Sequence, residues 1–335
     1  MPQFDLPLDQ LRDYRPEISV PDDFDVFWEK TLAETRAYGL GATFDPVETG
    51  LTGARVWDVT FAGFGGHPVK GWFTVPARAE GPLPLVVQFQ GYNGGRGLPH
   101  CWCLWPLAGY AHFVMDIRGQ GGGTQGAGGN VGDTPDPVGS GPAHAGFMTR
   151  GIEAPETYYY RRVLADAVRA VEAARAHPLA DPSRTVALGA SQGGGIALAV
   201  AGLVPDLAAV CVDVPFLCHF ARAVTLTDAR PYGEIAGYLR MHRGKEEQAL
   251  RTLSYVDGVT FAARGRAPAL FSVGLMDQVC PPSTVFAAHN AYGGPRQIEV
   301  YPFNGHEGGA MFQQEAQFDW LGRHVRHGRH HPAAA

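Results

Sequence analysis

Apolar runs separated by polar, helix-like segments dominate the hydropathy pattern of the chain. Six of these runs are short and continuous, which is typical of strands buried on both faces of a sheet. They cover residues 84–89, 111–117, 185–188, 208–214, 267–274 and 297–301. Between them, most clearly at 155–177, apolar residues recur at the spacing of one helix face. Strands alternating with helices predict an α/β fold with a mostly parallel sheet covered on both sides.

The remaining segments predict additions to this sheet. Residues 55–62 and 69–75 alternate between apolar and polar and are joined by a glycine-rich turn, so we expect an antiparallel hairpin at a sheet edge. Residues 24–35 have the spacing of a capped amphipathic helix outside the core. Residues 217–266 break the strand and helix alternation, and we predict a helical insertion over the carboxyl edge of the sheet.

Length and composition fit one elaborated domain. The chain has 335 residues, 45% of them hydrophobic, which is enough for a large core. We predict a single domain over residues 1–330 and a disordered tail at 331–335. The formal net charge of −6 argues against nucleic acid or an anionic membrane as a partner. With no signal-peptide pattern and no apolar run long enough to span a bilayer, we expect a cytoplasmic protein.

Cysteine usage points to a reducing compartment. An odd number of cysteines in a long chain argues against a disulfide framework. We expect reduced core thiols at Cys101, Cys103, Cys211, Cys218 and Cys280.

Two segments could suggest a metal or a cofactor. Histidines crowd residues 324–331 and could bind a metal weakly, but a frayed polar tail is the preferred interpretation. Residues 121–126 formally match a dinucleotide fingerprint, yet the prolines that follow cannot open the helix that would hold a pyrophosphate. We interpret the glycine-rich stretch 119–130 as a mobile surface loop and predict no metal and no cofactor.

A candidate nucleophile follows the third apolar run. The sequence Gly-Ala-Ser-Gln-Gly at 189–193 lies between the run at 185–188 and an apolar helical segment at 196–204. In Gly-x-Ser-x-Gly the glycines let backbone pass close to a strained turn, which exposes the serine hydroxyl at the carboxyl end of a strand. A glycine-rich connection would also explain five residues alone, but the flanking strand and helix favour Ser191 as a nucleophile.

A nucleophilic serine needs a general base, and the base needs an acid that fixes its tautomer. Asp277 follows the run at 267–274, and His306 follows the run at 297–301. Parallel strands end at the same sheet edge, so these side chains can converge on the serine. Taken singly, the aspartate could be a helix cap and the histidine a turn residue. Glu307 is an alternative acid, but as a chain neighbour of His306 it is poorly placed to reach the far ring nitrogen.

Donors for a tetrahedral oxyanion follow from the same chain order. Acyl-transfer serines use the N–H of the residue after the nucleophile and one from an earlier strand-to-helix loop. Those positions are Gln192 and, in the loop after the run at 84–89, Tyr92. An ordinary glycine turn is the alternative at the second position. The five residues together predict serine acyl transfer.

These motifs resemble carbohydrate esterase family 7, the acetyl xylan esterases and cephalosporin-C deacetylases. The segments that carry the resemblance are Gly91-Tyr92-Asn93-Gly94-Gly95, Arg118-Gly119-Gln120, Gly189-Ala190-Ser191-Gln192-Gly193 and His306-Glu307, and similar segments cover nearly the whole chain. The resemblance implies an α/β-hydrolase fold, no cofactor and a cytoplasmic location. It also implies removal of acetyl groups from small substrates such as acetylated xylo-oligosaccharides and cephalosporin C.

The resemblance further implies specific roles for residues. The triad would be Ser191, Asp277 and His306, and the oxyanion donors Tyr92 and Gln192. An acyl pocket that excludes longer chains would be lined by Phe216, Pro231 and Val279. Arg118 and Gln120 would tie loops near the site. The insertion would help to build a homo-oligomer, a hexamer whose sites face an inner chamber.

Other function classes stay open at this point. A serine peptidase of related fold would use the same residues, although no propeller or other large extra domain is recognisable. A non-catalytic binding protein of this fold usually lacks part of the constellation, whereas all five positions are occupied here. Dehalogenase chemistry would need a carboxylate where Ser191 stands.

Overall fold

The computed structural model describes residues 3–122, 131–139 and 145–326, and its strands form one sheet. The strands are β1 (Thr43–Val47), β2 (Ala54–Ala62), β3 (Pro68–Pro76), β4 (Leu83–Phe89), β5 (Ala111–Met115), β6 (Ala180–Ala190), β7 (Ala209–Asp213), β8 (Ala269–Gly274) and β9 (Arg296–Tyr301). Their spatial order is β1-β2-β3-β5-β4-β6-β7-β8-β9. The six strands β5, β4, β6, β7, β8 and β9 are parallel to one another. On the other side of β5, the pairs β1–β2, β2–β3 and β3–β5 are antiparallel. The predicted α/β fold with a mostly parallel sheet is confirmed.

Helices pack on both faces of this sheet. They are α1 (Leu8–Asp13), α2 (Phe24–Arg36), α3 (Leu104–Leu107), α4 (Tyr159–Arg175), α5 (Gln192–Leu203), α6 (Phe220–Leu226), α7 (Tyr232–Met241), α8 (Glu246–Ser254), α9 (Gly258–Ala262), α10 (Pro282–Ala291) and α11 (Ala310–Leu321). Leu85 and Val87 of β4 join the larger core with α4 and α5, whereas Val86 joins a second core with Trp105 and Trp320. This alternation follows from the two-residue period of a strand.

The N-terminal helix and the insertion pack against each other. The predicted helix at 24–35 is α2, and it buries Phe24, Phe27 and Trp28 on one face. The Trp28 indole N–H donates to the Tyr255 carbonyl at 2.8 Å, just after α8. Residues 217–266 contain α6 to α9, so the segment is helical. The division into one domain over 1–330 stays a prediction.

The structure corrects two expectations. The hairpin strands β2 and β3 are not outermost, because β1 pairs with β2 and forms the edge. Strand β1 is short, contains Pro46 and has no buried residue, so it lacks an apolar signal. All five cysteines are free, but Cys101 is exposed and Cys103 half-buried, because both lie at a surface 3₁₀ turn, Pro99–Trp102. The core-thiol expectation is wrong for these two.

Parts of three sequence features fall outside the described residues. These parts are 123–130 of the glycine-rich loop, 327–331 of the histidine cluster and the tail at 331–335. The described ends of that loop are paired, since Gly122 bridges Val131 and the Gly119 N–H donates to the Thr134 carbonyl at 2.8 Å. No helix in 3–122, 131–139 or 145–326 is both long and apolar enough to cross a membrane.

Candidate active site

Ser191 occupies a strained turn between β6 and α5. Its backbone has φ 56° and ψ −121°, a conformation that non-glycine residues rarely adopt and that costs on the order of 1–3 kcal/mol. Hydrogen bonds hold it there: the Ser191 N–H donates to the Asp213 carbonyl at 2.9 Å, and the Ser191 carbonyl accepts from the N–H groups of Gly195 and Phe216 at 3.0 and 2.9 Å. The turn presents the serine side chain at the carboxyl end of β6.

The two glycines of the motif are required by close packing. A Cβ at Gly189 would lie 2.2 Å from the backbone carbonyl carbon and oxygen of Gly193. A Cβ at Gly193 would lie 2.1 Å from the carbonyl oxygen of Phe89. These contacts are far below van der Waals distance, so the pattern Gly-x-Ser-x-Gly reflects the approach of α5 to β4 and β6.

The three predicted triad residues meet in order. The His306 Nδ1–H donates to Asp277 Oδ2 at 2.8 Å, because a carboxylate can only accept. Nε2 is then left to accept from the Ser191 hydroxyl, 3.0 Å away. Asp277 follows β8 and His306 follows β9, so the residues come from three strand ends. This geometry can move a proton between the hydroxyl and the imidazole.

The carboxylate of Asp277 is fixed by its own loop. Its side chain is fully buried, and Oδ1 accepts from the N–H groups of Val279 and Cys280 at 2.8 and 3.0 Å. Oδ2 therefore points to the His306 ring and holds one tautomer and one orientation.

Glu307, the alternative acid, has a different place. Its carboxylate accepts from Asn304 Nδ2 at 2.9 Å and from the Gly305 N–H at 3.1 Å. Hydrogen bonds from its own backbone N–H and from these groups lower its pKa. Glu307 thus stabilises the turn that carries His306, and Asp277 is the partner of the ring.

Cys280 shares the site, which the sequence did not indicate. Its thiol lies within hydrogen-bonding reach of Ser191, and its sulfur lies within 4.8 Å of ligand atoms of Asp277 and His306. Burial raises the pKa of the Cys280 thiol well above its ordinary value, so the group stays neutral. A cation bound to these three groups would compete with the Asp277–His306 hydrogen bond. The sequence feature that could have indicated the place of Cys280 is its position three residues after Asp277, the predicted acid.

Two glutamine side chains organise the oxyanion loop. The amides of Gln120 and Gln192 donate to each other, at 2.9 and 3.1 Å. Gln120 Oε1 also accepts from the Asn93 N–H at 2.7 Å, and Gln192 Nε2 lies 3.2 Å from the carbonyls of Gln90 and Gly91. These contacts connect the loop after β4 to the first residue of α5. The Gln192 N–H belongs to the first turn of α5, where helix N–H groups have no partner within the helix.

The three acyl-pocket candidates lie around this loop and the acid loop. Phe216 is buried, with its ring centroid 6.3 Å from that of Tyr92 and 4.4 Å from that of Tyr232. Pro231 is buried and directly precedes Tyr232. Val279 is half-buried in the loop of Asp277. The structure thus places Phe216 against Tyr92 of the oxyanion loop and Val279 in the loop of Asp277, whereas Pro231 is connected to them through Tyr232.

Arg118 is a structural anchor for the same region. Its buried guanidinium donates to both oxygens of Asp166, at 2.5 and 2.8 Å. Its carbonyl accepts from the Tyr159 hydroxyl at 2.5 Å, and Gln120 Nε2 contacts that hydroxyl at 3.1 Å. The segment Arg118-Gly119-Gln120 therefore joins α4 to the oxyanion loop.

Asp213 is a half-buried carboxyl whose backbone carbonyl supports the nucleophile turn, and it predicts a pH dependence of stability. Its oxygens accept from Gln313 and Gln317 at 2.8 and 2.5 Å, while burial raises its pKa to about 6. The pKa of Asp213 is higher in the folded than in the unfolded chain. Its protonated carboxyl therefore stabilises the folded state fully below about pH 4. This stabilisation is lost as pH rises through about 6, an effect of about 3 kcal/mol.

We expect Asp213→Asn to remove this part of the pH dependence. Urea unfolding of the wild type and the variant at pH 4, 5, 6 and 7 measures it. The stability of the wild type relative to the variant should fall between pH 4 and 7. A constant difference over that range would mean that Asp213 does not titrate there.

Sequence comparison identifies relatives over most of the chain. The profile of the family described as acetyl xylan esterase (AXE1) matches residues 1–324, which include all three triad residues. Acetyl esterase Axe7A of Xylanibacter ruminicola is 26% identical over 305 residues, 87% of this chain. The chain spans 65% of the length of that curated relative.

Solved structures show the same relationship. The acetyl xylan esterase from Paenibacillus sp. R4 is 38% identical with a TM-score of 0.87, over 94% of this chain and 99% of that one. Acetyl xylan esterase 1 from Thermoanaerobacterium sp. JW/SL YS485 is 32% identical with a TM-score of 0.85, over 94% and 98%. An acylaminoacyl peptidase of Pyrococcus horikoshii, 15% identical with a TM-score of 0.60, covers 92% of this chain and 45% of its own, and shares the fold alone.

Proposed function

This chain belongs to the acetyl xylan esterase family, carbohydrate esterase family 7 of the α/β-hydrolase superfamily, and we propose that it is a serine esterase of small acetylated carbohydrates. The observation that carries the proposal is the continuous series Ser191, His306 and Asp277, joined at 3.0 and 2.8 Å. The acetyl and carbohydrate parts of the proposal are supported by the family and by its relatives, which are acetyl xylan esterases.

The reaction proceeds in two balanced halves. As Ser191 Oγ attacks the acetyl carbonyl carbon, its proton moves to His306 Nε2. The N–H groups of Tyr92 and Gln192 stabilise the oxyanion, and the proton passes to the departing sugar oxygen as its bond to the acetyl carbon breaks. Water then attacks the acetyl-enzyme, giving its proton to the same nitrogen, which returns it to Ser191 as acetate leaves.

Acetyl selectivity is assigned to the surroundings of this centre. Phe216, Pro231 and Val279 form the acyl pocket, and the contact of Phe216 with Tyr92 and the place of Val279 in the loop of Asp277 support that role. Cephalosporin C is included as a second small acetyl ester. The family resemblance also supports a cytoplasmic location and a homo-oligomer, a hexamer. Light scattering after size-exclusion chromatography would measure the number of subunits.

The test is acetate release from a panel of substrates. The panel contains short acetylated xylo-oligosaccharides, polymeric acetylxylan and cephalosporin C, each run with Ser191→Ala as control. We expect release from the oligosaccharides and cephalosporin C, and slower release from the polymer. No acetate above the control from any substrate would refute the esterase proposal, and equal rates on polymer would refute a closed chamber.

A serine peptidase of the same fold is the main enzymatic alternative. The similarity to the acylaminoacyl peptidase lies at 15% identity and covers 45% of that chain, so it supports no shared activity. Comparing p-nitrophenyl acetate with a peptide anilide separates the two. A non-catalytic binding protein would hydrolyse neither and would leave Ser191 unlabelled by a fluorophosphonate.

A further inference from the structure

One carboxylate of the insertion reaches the oxyanion loop. Glu234 lies in the first turn of α7, and its two oxygens accept from the Tyr92 hydroxyl at 2.8 and 2.7 Å. Glu234 Oε2 also lies 3.3 Å from the Met148 N–H, which donates to it. The insertion therefore contacts both the loop after β4 and the turn at 146–148 through a single side chain.

The Tyr92 side chain is held from every side. Its phenol oxygen accepts from the N–H groups of Gly146 and Phe147 at 3.1 and 2.9 Å while the hydroxyl donates to Glu234. A phenol has one donor and, at most, two acceptor positions, so its hydrogen-bonding capacity is used. The ring packs edge-on against Phe147 and Phe216, with centroids 5.5 and 6.3 Å away. Burial and the charge of Glu234 raise the pKa of Tyr92, which keeps the donated proton in place.

These contacts determine where the backbone N–H of Tyr92 points. That N–H belongs to the Gly91–Tyr92 peptide, whose carbonyl accepts from the Gly94 N–H at 3.0 Å and lies 3.2 Å from Gln192 Nε2. The Tyr92 side chain, on the other side of the N–H, is fixed by Glu234. With its carbonyl and the following residue both restrained, this peptide has little freedom to rotate. We propose that Glu234 is a positioning residue for the esterase reaction, which acts from the insertion by fixing the oxyanion-binding N–H of Tyr92.

This inference rests on the proposed function and adds a role for the insertion within it. Other contacts also attach the insertion to the 146–153 region: Tyr238 donates to Glu153 at 3.2 Å, Lys245 pairs with Glu153 at 3.6 Å, and Gln248 donates to its carbonyl at 2.7 Å. None of these three contacts includes Tyr92. Glu153 is therefore a matched control, a second glutamate at the same junction.

The experiment compares Glu234→Ala, Glu234→Gln and Glu153→Gln with p-nitrophenyl acetate. Removing a whole oxyanion donor costs about 10²–10³ in kcat, so misdirecting one by losing Glu234 should cost about 10- to 100-fold. KM should change by less than about threefold, because the donor acts on the transition state. Glu234→Gln keeps an acceptor for the Tyr92 hydroxyl and should recover most of the loss. Glu153→Gln should match the wild type.

Two further readouts separate positioning from folding. The rate at which a fluorophosphonate labels Ser191 should fall in Glu234→Ala in proportion to kcat, because phosphonylation also places an oxyanion at the donors. Tyr92→Phe should lose a similar factor, and the double variant Tyr92→Phe/Glu234→Ala should lose little more than either single variant. If Glu234→Ala does not fold, Tyr92→Phe supplies the expected loss of kcat, and Glu234→Gln, which keeps the acceptor, supplies the variant that should stay near the wild type.

The outcomes are distinct. Equal kcat in Glu234→Ala and the wild type, a change in KM alone, or additive effects in the double variant would each overturn the positioning role. Those results leave the esterase proposal intact as long as Ser191→Ala abolishes acetate release. If the wild type itself releases no acetate above Ser191→Ala, the proposed function has failed, and the role of Glu234 fails with it.

Discussion

Replacing Ser191 with alanine is expected to lower kcat for acetyl-ester hydrolysis by about 10⁶-fold, the scale found for nucleophile removal in serine hydrolases. The hydroxyl is 3.0 Å from His306 Nε2, and alanine leaves the imidazole with no proton to accept. Donors at the oxyanion position would remain, so a residual acceleration over water of about 10³–10⁴ is expected. Acetate release from p-nitrophenyl acetate by highly purified protein measures the loss.

Ser183→Ala is the matched control for this substitution. Ser183 lies on the same strand, β6, but it is exposed and bonds to Asp181 at 2.6 Å. It should retain wild-type activity. Activity of Ser191→Ala within about tenfold of the wild type would show that another group is the nucleophile.

Asp277→Asn is expected to lower kcat by about 10⁴-fold while leaving the fold unchanged. Oδ1 accepts two backbone N–H groups, from Val279 and Cys280, so the oxygen of an asparagine amide would stay on that side. The amide nitrogen would then face His306 Nδ1 and donate to it. That hydrogen bond favours the tautomer with the proton on Nε2, which cannot accept a proton from Ser191.

Glu307→Gln provides the comparison for this second prediction. Glu307 stabilises the turn of His306 but does not contact its ring in the way Asp277 does. Its replacement should change kcat by less than about tenfold. If Glu307→Gln were as damaging as Asp277→Asn, or if the latter were fully active, the assignment of the acid would be wrong. Steady-state kinetics on both variants, with circular dichroism as a check of folding, decides the matter.

The convergence of the triad residues could be predicted from the sequence because the ends of the buried strands can be located in the hydropathy pattern. Asp277 and His306 each follow a continuous apolar run, and parallel strands bring their carboxyl ends to one edge. The glycines beside Ser191 identified a close approach of helix and strand, which the short Cβ distances at Gly189 and Gly193 explain. In these segments local pattern and tertiary structure agree.

Other elements gave no such signal. Strand β1 has no fully buried residue, and its place beside β2 rests on backbone pairing together with the half-buried Phe44, which packs against Phe73 of β3. Strand β6 begins at Ala180, before the apolar run at 185–188. The hydropathy pattern does not indicate this first part of the strand because its residues are mostly polar. Edge strands and strand ends depend on contacts with neighbouring strands. The hydropathy of a single segment carries no information about those contacts.

The polar contacts around the site depend on the fold itself. The Tyr92 and Glu234 pair joins residues 142 positions apart, and the Gln120 and Gln192 pair joins residues 72 apart. Neither contact can be inferred from spacing along the chain, since the first depends on the position of the insertion and the second on the position of α5. Cys280 is a buried free thiol, as the sequence predicts, but its place beside Ser191 follows from the fold and not from spacing along the chain.

The most direct test of the central claim is active-site titration with a fluorophosphonate followed by peptide mass mapping. Loss of acetate release should parallel labelling, reach completion at one adduct per chain, and place that adduct on the peptide that contains Ser191. Continued acetate release from fully labelled protein, or inactivation by an adduct on any other residue, would contradict the assignment of Ser191 as the nucleophile.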